Sequence, residues 1–371
     1  MCGITGFIDY KEKSSKEILR NMAETLKHRG PDDLGCEIME NNNAQIGLAQ
    51  SRLSIIDLSQ GGHQPMRYNN LSCVFNGEIY NYKEVKSELI ELGHEFITSS
   101  DTEVILHAFE EWGKAAVEKF IGMFVYVIHD LDKQLISITR DRAGVKPFYY
   151  YFTEDIFIFG SELKSLLAHP NFKPEINRSV LPAYLHYGYI PAPYSIFSDT
   201  RKLNPGHHMV LDLKSQRISY HKYWDATDYY VLPKTKLDYK ESKNHLHELL
   251  KSACNYRMVA DVPVGVFLSG GYDSTAVASI LQSNSSEKIK TFTIGFKEGN
   301  NEAPFAKETA AHLGTDHTDY YCTTEEAQSI IEELPYFYDE PFGDSSAIPT
   351  ILVSRMAKEK VTVALSADAG D

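Results

Sequence analysis

No run in this sequence approaches the roughly 18 consecutive apolar residues of a membrane span. Met1 is followed by Cys2, Gly3 and Ile4, not by the basic stretch that opens a secretory leader. The expected location is therefore cytoplasmic, with no membrane partner. A basic excess is missing as well: 37 Lys and Arg face 51 Asp and Glu, a net charge of −14. That excludes a simple cationic nucleic-acid binder, yet allows a small anion held by local dipoles. Paired cysteines are also lacking. Cys2, Cys36, Cys73, Cys254 and Cys322 are odd in number, and no two stand at zinc or redox spacing, so no disulfide framework is expected. The 14 histidines offer no pair at ligand spacing beyond His207 and His208, which as strand neighbours would face opposite ways. What is present, 43% hydrophobic and 24% charged residues over 371 positions, fits a globular protein of two or three domains.

The first half alternates short β-rich runs with amphipathic helices. Apolar residues fall at helical spacing in 15–28 (Ile18, Leu19, Met22, Leu26) and in 101–113 (Val104, Ile105, Ala108, Phe109, Trp112). Strand-like runs occupy 47–58, 72–80, 123–129, 135–141, 156–160 and 208–213. Such clustering suggests a layered α+β domain. The stretch 220–239 is aromatic and polar without clean period and reads as a linker. From Tyr239 onward strands at 262–268, 289–296, 317–322 and 361–366 alternate with helices, which implies a parallel sheet with its ligand beyond the strands' carboxyl ends.

At the start of that alternation the run Val264 to Leu268 reads as a buried strand and passes directly into Ser269-Gly270-Gly271-Tyr272-Asp273-Ser274 and then a helix. Two glycines allow close backbone approach, a helix N-terminus offers unpaired N–H groups, and two serines add hydroxyls, which suits phosphate. Asp273 would repel a polyphosphate unless a divalent cation lay between them, which points to Mg2+. A plain turn with a helix cap is the other reading of a Gly-Gly pair. The loop lacks the Lys of the Walker pattern and the three spaced glycines of a dinucleotide fingerprint. It resembles the Ser-Gly-Gly-x-Asp-Ser pyrophosphatase loop of enzymes that cleave ATP between the α- and β-phosphates.

Cys2 becomes the first residue if Met1 is removed, placing a thiol beside its own α-amine. With a pKa near ~7.7–8.0 that amine can accept the thiol proton. Read alone, a Cys at position 2 is an incidental small residue, Asn76-Gly77 a hairpin turn, Arg52 a surface charge and Asp101 a helix cap. Taken together, Cys2-Gly3-Ile4, His28-Arg29-Gly30-Pro31-Asp32-Asp33, Ser51-Arg52-Leu53-Ser54-Ile55-Ile56-Asp57, Asn76-Gly77-Glu78-Ile79-Tyr80-Asn81 and Ser100-Asp101-Thr102-Glu103 resemble the class II glutamine amidotransferase domain. That resemblance implies Cys2 as nucleophile, Asn76 with the Gly77 amide as oxyanion hole, Arg52 on the glutamine α-carboxylate, and Asp101 with the Glu78 region on its α-ammonium.

The two halves in this order resemble the glutamine-hydrolysing asparagine synthetase family. Further matching segments are Arg140 to Pro147, Gly160-Ser161-Glu162-Leu163-Lys164, Pro205-Gly206-His207, Tyr223-Trp224-Asp225 and Leu365 to Asp371. The implied fold is an α+β N-terminal-nucleophile hydrolase sandwich (αββα) followed by an α/β parallel-sheet ATP pyrophosphatase domain that is incomplete at its end. The expected domains are a glutaminase over 2–213, a linker over 214–238 and an ATP-binding domain over 239–371. The resemblance implies ATP and Mg2+ as cofactors, glutamine and a small carboxylate, aspartate first, as substrates, and it leaves a homodimer open. ATP would meet Phe267, Ser269, Gly270, Gly271, Asp273, Ser274, Ile294, Ser366 and Ala367, and Mg2+ would meet Asp273 and Asp371. Ammonia from Cys2 would pass through a channel to an acyl-adenylate, β-aspartyl-AMP, giving asparagine, AMP and pyrophosphate. Amidation of another carboxylate such as a sugar uronate, a glutaminase acting alone, and a non-catalytic sensing module are the alternatives. Ala367 and Ala369-Gly370 depart from the family's usual glycines, and the end at Asp371 after a strand is expected to belong to a longer protein. The acidic pair Asp339-Glu340 reads as solvated, with a metal role as the alternative.

Overall fold

The computed structural model describes residues 1–40, 43–297 and 301–367. It divides into two units, Met1–Leu232 with Asp339–Gly343, and Pro233–Tyr338 with Asp344–Asp371.

The first unit is built on two six-stranded antiparallel sheets. One runs, edge to edge, through Thr200–Lys202, Tyr149–Phe152, Ile156–Gly160, Gly3–Asp9, Gln45–Arg52 and Asp33–Glu40. The other runs through Arg217–Lys222, His207–Asp212, Leu135–Arg140, Gly122–Asp130, Leu71–Ile79 and Met66–Tyr68. Period-two alternation explains their packing. Ile4 and Ile8 join Ile46 and Leu48 in a buried core with Val74, Val125, Val127, Ile136 and Ile138 of the other sheet, while Phe7 faces the opposite way. Phe7 there meets Leu19, Met22 and Ala23 of the helix Lys16–Glu24, whose N-cap Ser15 accepts the Ile18 N–H at 3.2 Å. On the second sheet the helix Asp101–Trp112 packs against Leu71–Ile79, with Tyr82–Glu91 beside it. The result is the helix–sheet–sheet–helix sandwich that the resemblance implies.

In the second unit the strands Asp316–Cys322, Lys290–Phe296, Val264–Phe267 and Val363–Leu365 form one sheet, all parallel. Helices Tyr272–Ser283 and Ala303–Leu313 help to bury Val266, Leu268 and Ile289, and Ala347–Lys358 packs Val353 and Ala357 on Phe292. This is the α/β parallel sheet expected from the alternation. Among the described residues no helix is long and apolar enough to cross a membrane.

Several local expectations change. Asn76 and Gly77 lie inside the strand Leu71–Ile79, paired with Val125 and Phe124, and form no turn. Ser100, not Asp101, caps its helix. The linker stretch contains the end of the strand Arg217–Lys222 and a short helix, Thr227–Tyr230. The helix after the glycine loop begins at Tyr272, so Asp273 is in its first turn. Asp339 and Glu340 are not solvated: they pair within the first unit with Lys164 at 2.9 Å and with Lys202 at 2.5 Å.

Candidate functional site

Cys2 precedes the central strand Gly3–Asp9, and its backbone is held by Arg29, whose Nε donates to the Cys2 carbonyl at 2.9 Å. Arg29 is held in turn by Glu162 at 2.7 Å. Burial acts to raise the Glu162 carboxyl, but hydrogen bonds from His28 and Lys164 and the Arg29 charge outweigh it and hold it at about 2. The Cys2 Sγ lies 3.4 Å from the Leu53 N–H it accepts and 3.5 Å from the Leu53 carbonyl. Burial pushes its thiol up, opposed by the amino-terminal charge, the Leu53 N–H and Lys146.

Around that thiol a cleft of about 440 Å³, open to solvent, brings together Cys2, Arg52, Asn76, Gly77, Glu78 and Asp101, residues drawn from four separate stretches of chain. Arg52 is buried, with Nη1 donating to the Ser59 carbonyl at 3.0 Å and Nη2 to the carbonyls of Ile56 and Asp57. Three of its five N–H donors thus hold the loop that follows it. Asn76 is fully buried, its Nδ2 3.4 Å from Ser161 Oγ, and its Oδ1 has no partner among the described residues. Burial pushes the Asp101 carboxyl up to about 7, the Ile79 N–H at 3.0 Å opposing and the Glu78 charge assisting. Glu78 is likewise raised by burial. Two adjoining buried carboxyls that resist ionisation form a natural seat for an ammonium group, which would relieve both.

Several lining residues are absent from the sequence-derived site, Gln50, Gln64 and Lys146 among them. Gln50 pins Nε2 on the Phe75 carbonyl at 2.6 Å, and Gln64 bridges Thr102 and the Phe75 N–H. Lys146, 1% exposed, points Nζ at the thioethers of Met1 and Met123, and burial lowers its ammonium to about 8. In sequence its segment, Arg140 to Pro147, shows only as a stretch that matches the family. No local pattern marks Gln50 or Gln64, whose importance comes from the two sheets converging there.

Gly62 supports Arg52 from below: a Cβ there would stand 1.8 Å from Nη2, a side chain tied to three carbonyls and unable to retreat cheaply. With Arg52 on the glutamine α-carboxylate, as the resemblance implies, Gly62→Ala is expected to raise the KM for glutamine roughly 10-fold or more with kcat changed less, as loss of uniform binding does. Steady-state glutamate release checks it; an unchanged KM would remove Arg52 from substrate binding.

In the second unit, a cleft of about 1080 Å³ is lined by Phe267, Ser269, Gly271, Asp273, Ser274, Ile294, Ser366 and Ala367, joined by Thr293, Glu302 and Val353. Gly270 does not line it; its Cα faces Phe305, where a Cβ would stand 2.8 Å from the Phe305 Cβ. Asp371 lies outside the described residues. Gly271 caps the 12-residue helix Tyr272–Ser283 without a side-chain hydrogen bond, so the first-turn N–H groups stay available to an anion. The Ser269 and Ser274 hydroxyls sit 2.8 Å apart and brace the loop.

A sandwich of two antiparallel sheets with a cysteine in its cleft, followed in the chain by a parallel sheet with a glycine loop at a strand end, is the architecture of a two-domain amidotransferase class. The family comparisons agree: a glutamine amidotransferase domain model matches residues 1–224 and an asparagine synthase model matches residues 245–371. The chain belongs to the glutamine-hydrolysing asparagine synthetase family. It is 41% identical to a putative asparagine synthetase [glutamine-hydrolyzing] 2 of Methanocaldococcus jannaschii, over 100% of this chain and 74% of that protein. Identity is 34% to asparagine synthetase [glutamine-hydrolyzing] 1 of Bacillus subtilis, over 100% of this chain and 58% of that protein. A third relative, asparagine synthetase [glutamine-hydrolyzing] 3 of the same bacterium, is 30% identical over 100% and 62%. The chain thus spans from under two thirds to about three quarters of these relatives' lengths.

Proposed function

We propose that the first unit hydrolyses glutamine at Cys2 and that the second activates a carboxylate with ATP, which the released ammonia converts to an amide in the cytoplasm. The observation that supports this most is the meeting of a thiol, a buried guanidinium, an amide pair and two buried carboxyls in one cleft. Burial lowers the amino group of Met1, next to Cys2, to about 5, so an amine in this setting is neutral near pH 7 with its lone pair free. With Met1 removed, the amine of Cys2 itself would take the thiol proton. Sγ attacks the γ-carboxamide carbon, Asn76 Nδ2 and the Gly77 N–H hold the oxyanion, and ammonia leaves with the proton. Water then cleaves the thioester to glutamate. Arg52 would bind the α-carboxylate, and Asp101 and Glu78 the α-ammonium.

In the second unit the glycine loop and its helix N-terminus would hold the pyrophosphate portion of ATP, while Phe267, Ile294, Ser366 and Ala367 would flank the adenosine. The donor set there, the Asp273 carboxylate with the hydroxyls of Ser269 and Ser274, is all oxygen and fits Mg2+. Asp273 would hold that ion, which when bound neutralises phosphate charge. The carboxylate we propose is aspartate, through β-aspartyl-AMP to asparagine, AMP and pyrophosphate.

The test has two arms. Mass spectrometry should find Cys2 as residue one, alkylated by a glutamine-analogue electrophile; a chain that keeps Met1 and still deamidates glutamine would remove the amine from the mechanism. Screening carboxylates for AMP and pyrophosphate release should single out aspartate, and adenylation of a uronate but not aspartate would reject asparagine synthesis.

A further inference from the structure

Ser161 follows the strand Ile156–Gly160 and is fully buried. Its N–H donates to the Ile4 carbonyl at 2.9 Å, and its Oγ accepts the Ile4 N–H at 3.0 Å. The same Oγ lies 3.4 Å from the Asn76 carboxamide. One hydroxyl thus touches both the strand that follows Cys2 and the side chain of Asn76, the proposed oxyanion donor.

A serine hydroxyl has one proton and two lone pairs. Here the Ile4 N–H takes a lone pair, and with Asn76 Nδ2 turned toward Oγ the hydroxyl accepts in both contacts and its proton has no acceptor among the described residues. In that arrangement the buried Asn76 Oδ1 has no partner either. The two ends of a carboxamide have nearly the same shape, so turning it over costs no space. With Oδ1 on Ser161 the hydroxyl proton meets the carboxamide oxygen, and both amide hydrogens are left for a ligand. Leaving two buried groups unmade is the costlier alternative. The remaining unpaired donor is what an oxyanion hole requires before substrate arrives.

We propose that Ser161 is a positioning residue that orients the Asn76 carboxamide, nitrogen inward, toward the developing oxyanion; this rests on the glutaminase reading above. Since the oxyanion exists only in the transition state, Ser161→Ala should lower glutaminase kcat by ~10- to 100-fold and change the KM for glutamine less than about 2-fold. Ser161→Cys, a weaker donor of similar shape, should fall between Ala and wild type. In an Asn76→Ala background, adding Ser161→Ala should lower kcat by less than about 2-fold more, because the residue acts through Asn76. A merely structural role through Ile4 would instead add its full loss in that background and would slow alkylation of Cys2 by iodoacetamide. Additive losses, or a Ser161→Ala kcat within about 2-fold of wild type, would overturn the proposal. If Ser161→Ala does not fold, the Cys variant and the same cycle built with it decide the matter. Failure of the glutaminase reading shows separately, as unsubstituted protein without Cys2-dependent hydrolysis, and takes the proposal with it.

Discussion

Replacing Cys2 with alanine is expected to abolish glutamine hydrolysis, by ~10³-fold or more, while the amide formation proposed for the second unit continues when ammonium salts are supplied. The size follows from chemistry with no local substitute. The cysteine thiols are all free, but Cys73 and Cys254 are buried, Cys322 belongs to the second unit, and Cys36 lies on the strand Asp33–Glu40. None of these four lines the Cys2 cleft. Binding should outlast catalysis, because Arg52, Glu78 and Asp101 are untouched, so glutamine should still protect the variant against thermal unfolding. Glutamate release and ammonia-supported AMP formation measure the two halves separately. A Cys2→Ala rate within tenfold of wild type would place the nucleophile elsewhere; Cys36→Ala serves as the control and should be silent.

The second large effect concerns Gly77. Its φ is +153°, and an added Cβ would stand 2.2 Å from the Met123 carbonyl and 2.6 Å from the Phe124 Cα. Both are backbone atoms of the strand Gly122–Asp130, which pairs with Leu71–Ile79 in the middle of the second sheet. Neither can swing aside as a side chain would, so relief means separating two central strands. Gly77→Ala is therefore expected to destabilise the first unit by about 2–5 kcal/mol, near the upper range for single substitutions. For a unit of this size that lowers Tm by very roughly 5–15 °C. Whatever folds should also show a depressed kcat, since the displaced N–H is one of the two proposed oxyanion donors. Calorimetry and glutamate release test the two consequences. An alanine variant with wild-type Tm would mean that the strands part here without cost.

How much could be read in advance depended on how local each feature is. The strand Val264–Phe267, the glycines after it and the helix Tyr272–Ser283 are contiguous, so strand, loop and helix could be anticipated from adjacent residues alone. In the first unit the corresponding information is scattered. Cys2, Arg52, Asn76 and Asp101 are separated by tens of residues, and spacing by itself suggested a turn at Asn76-Gly77. The turn preference of that dipeptide loses to pairing with Val125 and Phe124, a competition that propensity cannot weigh. Only likeness to a family pointed to these residues as a group.

Composition similarly suggested water around Asp339 and Glu340, whereas Lys164 and Lys202, well over a hundred residues earlier, hold them. Burial of such pairs depends on partners that arrive through the fold, and charge alone says nothing about which arrive.

Sequence alone determined the layered α+β class of the first unit, the parallel sheet of the second and its strand–glycine loop–helix order, because alternation, helical period and a glycine-bounded helix start are properties of neighbouring residues. Tertiary structure alone decided that Gln50 and Lys146 stand at the thiol's cleft, that Asn76 is buried beside Ser161, and that Gly77 has no room for a methyl group. Those outcomes depend on where two sheets converge, and hydrogen-bond satisfaction and steric room exist only once distant strands are side by side.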